Sequence, residues 1–332
     1  MTSASSPKPS VLIARPIFPE VVQRLRAHFE VSANADDEAW SHDQFIAQLQ
    51  GKQGVFTTGG ERIDARLLAA CPDLRICANM AVGYNNFDVP AMTAAGGLAT
   101  NAPDVLTETT ADGGFALLMA AARRITEGEH YLRAGRWQRW SYDMLVGQDV
   151  HGSTLGIFGM GRIGQAIARR GALGFGMKVL YHNRTRLPAA EEAAVQAEYV
   201  AKDELLRRAD HVMLVLPMTP ETRHYVGAPE LALMKPTATL VNIGRGGVVD
   251  DAALAQALRA GRIAAAGLDV FEGEPRVHPD LLACTNVALT PHIASASIPT
   301  RLAMANLAAD NLIGYLTQGR ALTPLNPEVM ER

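Results

Sequence analysis

Cysteine is scarce in this chain: Cys71, Cys77 and Cys284 are the only three among 332 residues. Their spacing gives neither a CxxC pair nor a disulfide framework, which excludes a stapled secreted scaffold and fits a reducing cytosol. An excess of charge of one sign is missing too, since 31 Lys and Arg against 34 Asp and Glu leave a formal net charge of −3. No basic footprint for DNA, RNA or an anionic membrane exists in such a balance. No apolar run approaches the ~18–20 residues of a membrane span. The opening "MTSASSPKPS" lacks an apolar core, so it reads as a short disordered start rather than a signal peptide. Internal repeats are absent, and no metal site is expected. What remains is a cytoplasmic protein whose partner is a small molecule.

Apolar residues are plentiful, at 48%, and 29 Gly with 18 Pro supply many turns. The length suits two domains of ~100–200 residues each. In the first third, "VLIAR" (11–15), "EVSAN" (30–34), "GVFTT" (54–58) and "RICANM" (75–80) read as strands. Amphipathic stretches lie between them, such as "PEVVQRLRAHF" with Val22, Leu25 and Phe29 on one face. Strands alternating with helical patterns predict parallel sheets with crossover helices. Residues 107–137 form one long helical pattern, and Trp137 and Trp140, three apart at and just beyond its end, would share a face if the helix continued. A second strand series follows: "TLGIFG" (154–159), "KVLYHN" (178–183), "HVMLVLP" (211–217), "ATLVNIG" (238–244), "AAAGLDV" (264–270) and "VALTP" (287–291). Only this second series opens on a glycine-rich turn, so two α/β domains are expected rather than one sheet. The last helix, near 298–318, has no later strand to pair with and is expected to return to the first domain. That gives a discontinuous domain of residues 1–104 plus 298–332, a dinucleotide-binding domain of residues 105–297, and a ligand in the cleft between them.

Gly159-Met160-Gly161-Arg162-Ile163-Gly164 follows a strand and opens a helix, and the next strand ends at Asn183, 19 residues past Gly164. This context, more than the G-x-G-x-x-G itself, is the dinucleotide fingerprint. Gly159 makes the turn, Gly161 admits the pyrophosphate and Gly164 lets helix pack on strand, while the helix N-terminus attracts phosphate. NAD sites want an acid near the end of the second strand to hold the ribose hydroxyls. Here Asn183, Arg184, Thr185 and Arg186 stand instead. Asn183 keeps hydrogen bonding without repelling a 2′-phosphate. Arg184 and Arg186 either give that phosphate charge-assisted bonds or are solvated loop residues. The expectation is NADPH ahead of NADH.

Three later strands end in chemistry-bearing residues, where α/β folds place ligands. Arg245 stands between glycines in "VNIGRGGVVD", "GLDVFEGEP" carries Asp269, Glu272 and Glu274, and His292 follows Pro291 in "LTPHIASAS". Reduction of a 2-keto acid needs such a set. A planar guanidinium matches the carboxylate and polarises the carbonyl. A histidine gives the carbonyl oxygen its proton, and a neighbouring carboxylate fixes the histidine's tautomer and favours its charged form. Glu274 suits that last role better than Glu272 because Pro275 follows it.

At these residues the chain resembles the D-2-hydroxyacid dehydrogenase family, in its glyoxylate/hydroxypyruvate reductase branch, including forms that reduce 2-ketogluconate. The likeness spans nearly all of residues 50–325 and rests on "AVGYNNFD", "TETTAD", "GMGRIGQAIARR", "LPMTPETRHYVG", "NIGRGGVVD", "GLDVFEGEP" and "TPHIASAS". It implies two Rossmann-like or flavodoxin-like domains with parallel sheets. By that resemblance Arg245 binds substrate, Glu274 pairs with His292, and His292 is the acid/base. Val82 and Gly83 would present N–H groups to the substrate carboxylate. Thr110, Ile243 and Asp269 would lie at the nicotinamide end, with Leu216, Pro217 and Thr222 covering the adenosine side. The family forms homodimers, and a tryptophan from the arm before the glycine turn, here Trp140, would reach the partner's pocket. An NADH-linked enzyme for another substrate such as D-lactate is the alternative within the class. The family's dinucleotide-sensing corepressors are the alternative outside it.

Overall fold

Val11 to Ile13, Val55 with Phe56, and Ile76 to Ala78 are fully buried as continuous apolar runs, the pattern of parallel strands covered on both faces. The computed structural model describes residues 7–331. By contact the chain divides into two units: one holds the described residues up to Leu106 together with those from Ser297 onward, the other Thr107–Ala296.

The first unit alternates β1 Ser10–Ile13, α1 Pro19–His28, β2 Glu30–Ala33, α2 His42–Gln48, β3 Gly54–Thr57, α3 Ala65–Ala70, β4 Ile76–Asn79, α4 Val89–Ala94 and β5 Leu98–Thr100. All five strands are parallel in the order β2-β1-β3-β4-β5. Side chains of Ser41, Asp64 and Asp88 cap α2, α3 and α4 by accepting from backbone N–H groups that no helix bond satisfies.

The second unit opens with α5 Thr107–Ala122 and α6 Ile125–Arg133. It continues through β6 Thr154–Phe158, α7 Arg162–Arg169, β7 Lys178–His182, α8 Ala189–Ala194, β8 Ala197–Tyr199, α9 Lys202–Arg208 and β9 His211–Leu214. Next come α10 Ala228–Leu233, β10 Thr239–Asn242, α11 Asp251–Arg259, β11 Ala265–Leu268, α12 Pro279–Leu282 and β12 Val287–Leu289. Its seven parallel strands run β12-β11-β10-β9-β6-β7-β8, so the order reverses at β6 and β9, where the glycine-rich turn lies. Two apolar clusters cover the faces of this sheet, one centred on Phe158, Leu214 and Leu240, the other on Ile157, Ile167 and Met213. Helix α13, Ile298–Gln318, belongs to the first unit, where Asn306 accepts from Arg24 at 3.0 Å.

Three expectations are corrected. The helical pattern over 107–137 is broken after Ala122: Arg124 takes φ +54, its guanidinium bonds Glu127 twice at 2.8 Å, and Gln148 N–H donates to the Ala122 carbonyl. Tertiary contact ends that helix, and Trp137 and Trp140 lie outside any helix, both exposed. Strands β5 and β8, three residues each, were not foreseen because such a length shows no alternation. The reading of a disordered start fails from Lys8 onward, where Lys8 Nζ bonds the Ala27 carbonyl at 2.9 Å and Ser10 begins β1; residues 1–6 lie outside the described residues. Among the described residues no helix is long and apolar enough to cross a membrane.

Candidate active site

Turns at the strand ends of the second unit put the chemistry-bearing residues in place: after β6, β10, β11 and β12. Gly159 takes φ +97, and a Cβ on Gly164 would sit 2.2 Å from the Gly159 carbonyl oxygen, so only glycine lets α7 start this close to the strand. Nothing lies within 4 Å of the position of a Gly161 Cβ, leaving open space above the first turn of α7, where Arg162 and Ile163 follow. Asn183 Oδ1 accepts from Met160 N–H at 2.8 Å, so the residue just past β7 also fixes the glycine-rich turn.

Beside this turn lies a pocket of about 400 Å³. Gly159 and Gly161 form one side, Asn183, Arg184 and Thr185 the rim, and Leu216, Pro217 and Thr222 the far wall. The Thr222 hydroxyl donates to the Pro217 carbonyl at 2.7 Å and accepts from Thr219 N–H at 2.7 Å, which closes the loop beyond β9. Glu221 shares the pocket with Arg184; a Thr219 hydrogen bond, its own backbone and the Arg184 charge hold its carboxyl below the usual range. Arg186 does not line the pocket. Its guanidinium makes two 2.8 Å bonds to Glu192 and lies over the Tyr199 ring, and Arg186 together with the Tyr181 hydroxyl holds the Glu192 carboxyl down at about 2. The two arginines read as a pair in the sequence are therefore not equivalent.

Thr110, on α5, is buried with its Oγ1 unpartnered among the described residues, and Ile243 is buried just past β10. An unpaired buried hydroxyl is costly, so a polar ligand atom is the natural partner for it. With the open glycine turn, this makes the residues present a good fit to a nicotinamide dinucleotide. Asp269 serves the turn after β12. Its Oδ1 accepts from Thr290 Oγ1 and Ile293 N–H, each at 2.7 Å, and its Oδ2 from Ala294 N–H at 2.8 Å. That buried carboxylate shapes the 290–294 turn, a duty the residue pattern alone did not disclose.

On this turn His292 takes φ +54, and its Nδ1 lies 2.8 Å from Glu274 Oε2. Glu274 Oε1 accepts from Phe271 N–H at 2.9 Å. Burial pushes the Glu274 carboxyl up, but the bonds from His292 and Phe271 and the Arg245 charge outweigh it, leaving it below the usual range. It is therefore a carboxylate at neutral pH, and it holds the imidazole ring by Nδ1. His292 Nε2 has no hydrogen-bond partner among the described residues. Arg245 donates from Nη1 to the Gly244 carbonyl at 2.7 Å; burial lowers its pKa, and Glu274 opposes that shift. Its other guanidinium donors are unengaged among the described residues. The structure thus assembles a guanidinium with donors to spare and a carboxylate-bound imidazole with a bare Nε2.

In the first unit, two buried asparagines hold the Val82-Gly83 turn by its carbonyls: Asn101 Nδ2 donates to Val82 at 2.7 Å and Asn79 Nδ2 to Gly83 at 3.0 Å. Sequence reasoning missed both, though a buried asparagine at a strand end is a signal for a held loop. Trp140 is 75% exposed on an arm that also exposes Trp137, Tyr142 and Val146.

Comparison with known proteins agrees with this geometry. Residues 115–294 match the model of the D-isomer specific 2-hydroxyacid dehydrogenase NAD binding domain. The glyoxylate reductase of Thermococcus onnurineus is 48% identical over 327 residues, 97% of this chain and 97% of its own. The crystal structure of the NADPH-dependent glyoxylate/hydroxypyruvate reductase of Sinorhizobium meliloti with NADP and malonate superposes with a TM-score of 0.85 at 39% identity, covering 96% of this chain and 97% of that one. Holo D-mandelate dehydrogenase of Rhodotorula graminis gives the same TM-score, 0.85, at 28% identity over 96% of this chain and 98% of its own. The chain belongs to the D-isomer-specific 2-hydroxyacid dehydrogenases.

Proposed function

We propose that this protein reduces small 2-keto acids, glyoxylate and hydroxypyruvate first and 2-ketogluconate as a further candidate, to D-2-hydroxy acids with NADPH. The observation that carries the reading is His292 with its Nδ1 on the Glu274 carboxylate and its Nε2 bare, in the domain that holds Arg245. Bound NADPH supplies the hydride. Arg245 forks onto the keto acid's carboxylate and draws electron density from the adjacent carbonyl, in a buried setting where such a bond is worth more than in water. His292 Nε2–H gives its proton to the carbonyl oxygen as carbon accepts the hydride, and Glu274 stabilises the imidazolium before transfer. The Val82-Gly83 turn is assigned to the substrate carboxylate through its N–H groups, since its carbonyls are held by Asn101 and Asn79.

For the cofactor, Gly159, Gly161, Arg162, Ile163 and Gly164 are assigned to the pyrophosphate and Leu216, Pro217 and Thr222 to the adenosine. Thr110, Ile243 and Asp269 are assigned to the nicotinamide end, where Thr110 Oγ1 gains the partner it lacks. Asn183, Arg184 and Thr185 on the pocket rim, with no acid among them, support NADPH. Glu221 in the same pocket supports use of NADH as well, because its charge opposes a 2′-phosphate. The exposed aromatic arm supports a homodimer, in which Trp140 would contribute to the partner's pocket. The unpaired cysteines support a cytoplasmic setting.

A panel of glyoxylate, hydroxypyruvate, 2-ketogluconate and pyruvate, assayed with NADPH and NADH, tests the reading. Highest kcat/KM for glyoxylate or hydroxypyruvate with NADPH is expected. Tight dinucleotide binding without turnover of any keto acid would overturn it.

A further inference from the structure

Glu272 stands two residues before Glu274 and has no part in the chemistry above, yet from a half-buried position it gathers several partners. Its Oε1 accepts from Arg223 Nη2 at 2.6 Å, and its Oε2 lies 2.8 Å from His224 Nε2. Its backbone N–H donates to Asp251 Oδ2 at 3.0 Å, at the start of α11. Arg223 and His224 end the loop whose Leu216, Pro217 and Thr222 wall the nucleotide pocket. His224 takes φ +47, costly for a residue with a Cβ, and its N–H donates to the Gly247 carbonyl at 2.7 Å. Gly247 in turn belongs to the Arg245 turn. A Cβ on Gly246 would lie 1.8 Å from the Phe271 carbonyl oxygen, so the Arg245 turn rests directly on the backbone that carries Glu272.

We propose that Glu272 is a positioning residue that holds three segments in register: the loop over the nucleotide pocket, the Arg245 turn and the Glu274 turn. Through it, the wall that contacts dinucleotide and the groups that contact keto acid share one anchor. Partly exposed ion pairs contribute little to stability on average, so the anchor's effect lies in geometry rather than in melting temperature. Because the anchor joins the wall of the nucleotide pocket to the Arg245 turn, its loss loosens both binding surfaces together and should be read first in the two KM values. This inference rests on the assignment of Arg245, Glu274 and His292 as the reacting set.

The test uses the full-length protein with NADPH and the keto acid it turns over fastest, in Glu272→Gln, Glu272→Asp, His224→Gln and the Glu272→Gln/His224→Gln double variant. Glu272→Gln is expected to raise KM for both NADPH and keto acid about three- to tenfold, with the melting temperature nearly unchanged. Glu272→Asp, which keeps the charge, should recover part of that loss. The double variant should be no worse than Glu272→Gln within about twofold, since the His224 contact is one that Glu272→Gln already loses and the more distant Asp250, 3.8 Å from His224 Nδ1, adds little. If kcat alone falls while both KM values stay, or if the two substitutions act independently, Glu272 does not register the loops. Should Glu272→Gln fail to fold, His224→Gln alone must still raise both KM values. An inactive His292→Ala variant beside an unaltered Glu272→Gln variant would sink this inference alone, whereas a fully active His292→Ala variant would sink the functional reading beneath it.

Discussion

His292 and Glu274 meet at 2.8 Å through Nδ1 and Oε2, which leaves His292 Nε2 as the open nitrogen. The other Glu274 oxygen is tied to Phe271 N–H, so the carboxylate cannot turn away from the ring without losing a second bond. An imidazole oriented in this way is prepared to hand over a proton from one nitrogen only. His292→Ala should therefore keep dinucleotide binding and lose about 10²–10⁴-fold in keto-acid reduction, the usual contribution of a positioned general acid. Fluorescence titration with NADPH and steady-state rates check the two halves. A loss under tenfold would remove His292 from proton transfer.

Glu274→Gln tests the carboxylate. In the native protein the His292 bond and the Arg245 charge keep the Glu274 carboxyl below its usual range in spite of burial. Glutamine keeps an oxygen for Phe271 N–H but loses the charged acceptor that holds the His292 ring by Nδ1. Glu274→Gln should therefore lower kcat for keto-acid reduction roughly ten- to a hundredfold, from the loss of one charge-assisted bond of ~1.5–3 kcal/mol, with KM for NADPH within about twofold. Wild-type kcat in this variant would reduce Glu274 to a turn residue.

Arg245→Lys keeps the charge and loses the planar fork. A charge-assisted hydrogen bond is worth ~1.5–3 kcal/mol, so loss of one prong should lower kcat/KM by roughly ten- to a hundredfold or somewhat more. Lysine's compact ammonium also bears burial poorly, and burial already lowers the pKa of the arginine here. Near-normal kcat/KM in this variant would contradict carboxylate binding at the position.

The frame of the second unit was legible because its buried strands are near-continuous apolar runs and its first turn must be glycine for steric reasons. Arg245, Glu274 and His292 were legible as residue types at strand ends, and the structure unites Glu274 with His292 directly. Contacts across the fold hid the remainder. The end of α5 depends on Gln148 reaching the Ala122 carbonyl, which no local propensity encodes. Asp269 reads only as an acid at the nicotinamide end until its three hydrogen bonds to the 290–294 segment reveal that it also shapes the His292 turn. Arg186 looks like a twin of Arg184 until α8 brings Glu192 beneath it.

That last difference separates the two arginines experimentally. Arg184 lines the pocket and can meet a 2′-phosphate, whereas Arg186 would first have to leave Glu192 and Tyr199. Arg184→Ala should lower kcat/KM for NADPH by roughly ten- to a hundredfold or slightly more, from the loss of ~1.5–3 kcal/mol, and leave NADH within about twofold. Arg186→Ala should change both cofactors equally and weakly, since what it removes is a bond to Glu192 rather than to the ligand. Adding Asn183→Asp to Arg184→Ala should move preference further toward NADH. The new carboxylate keeps an acceptor for Met160 N–H, so the turn survives, while its charge repels phosphate and accepts from ribose hydroxyls. The ratio of kcat/KM for NADPH to that for NADH across these variants is the measurement. An Arg184→Ala ratio equal to wild type would remove the phosphate from this rim, and an Arg186→Ala ratio that falls as far as that of Arg184→Ala would mean that the Glu192 pair opens when the cofactor binds.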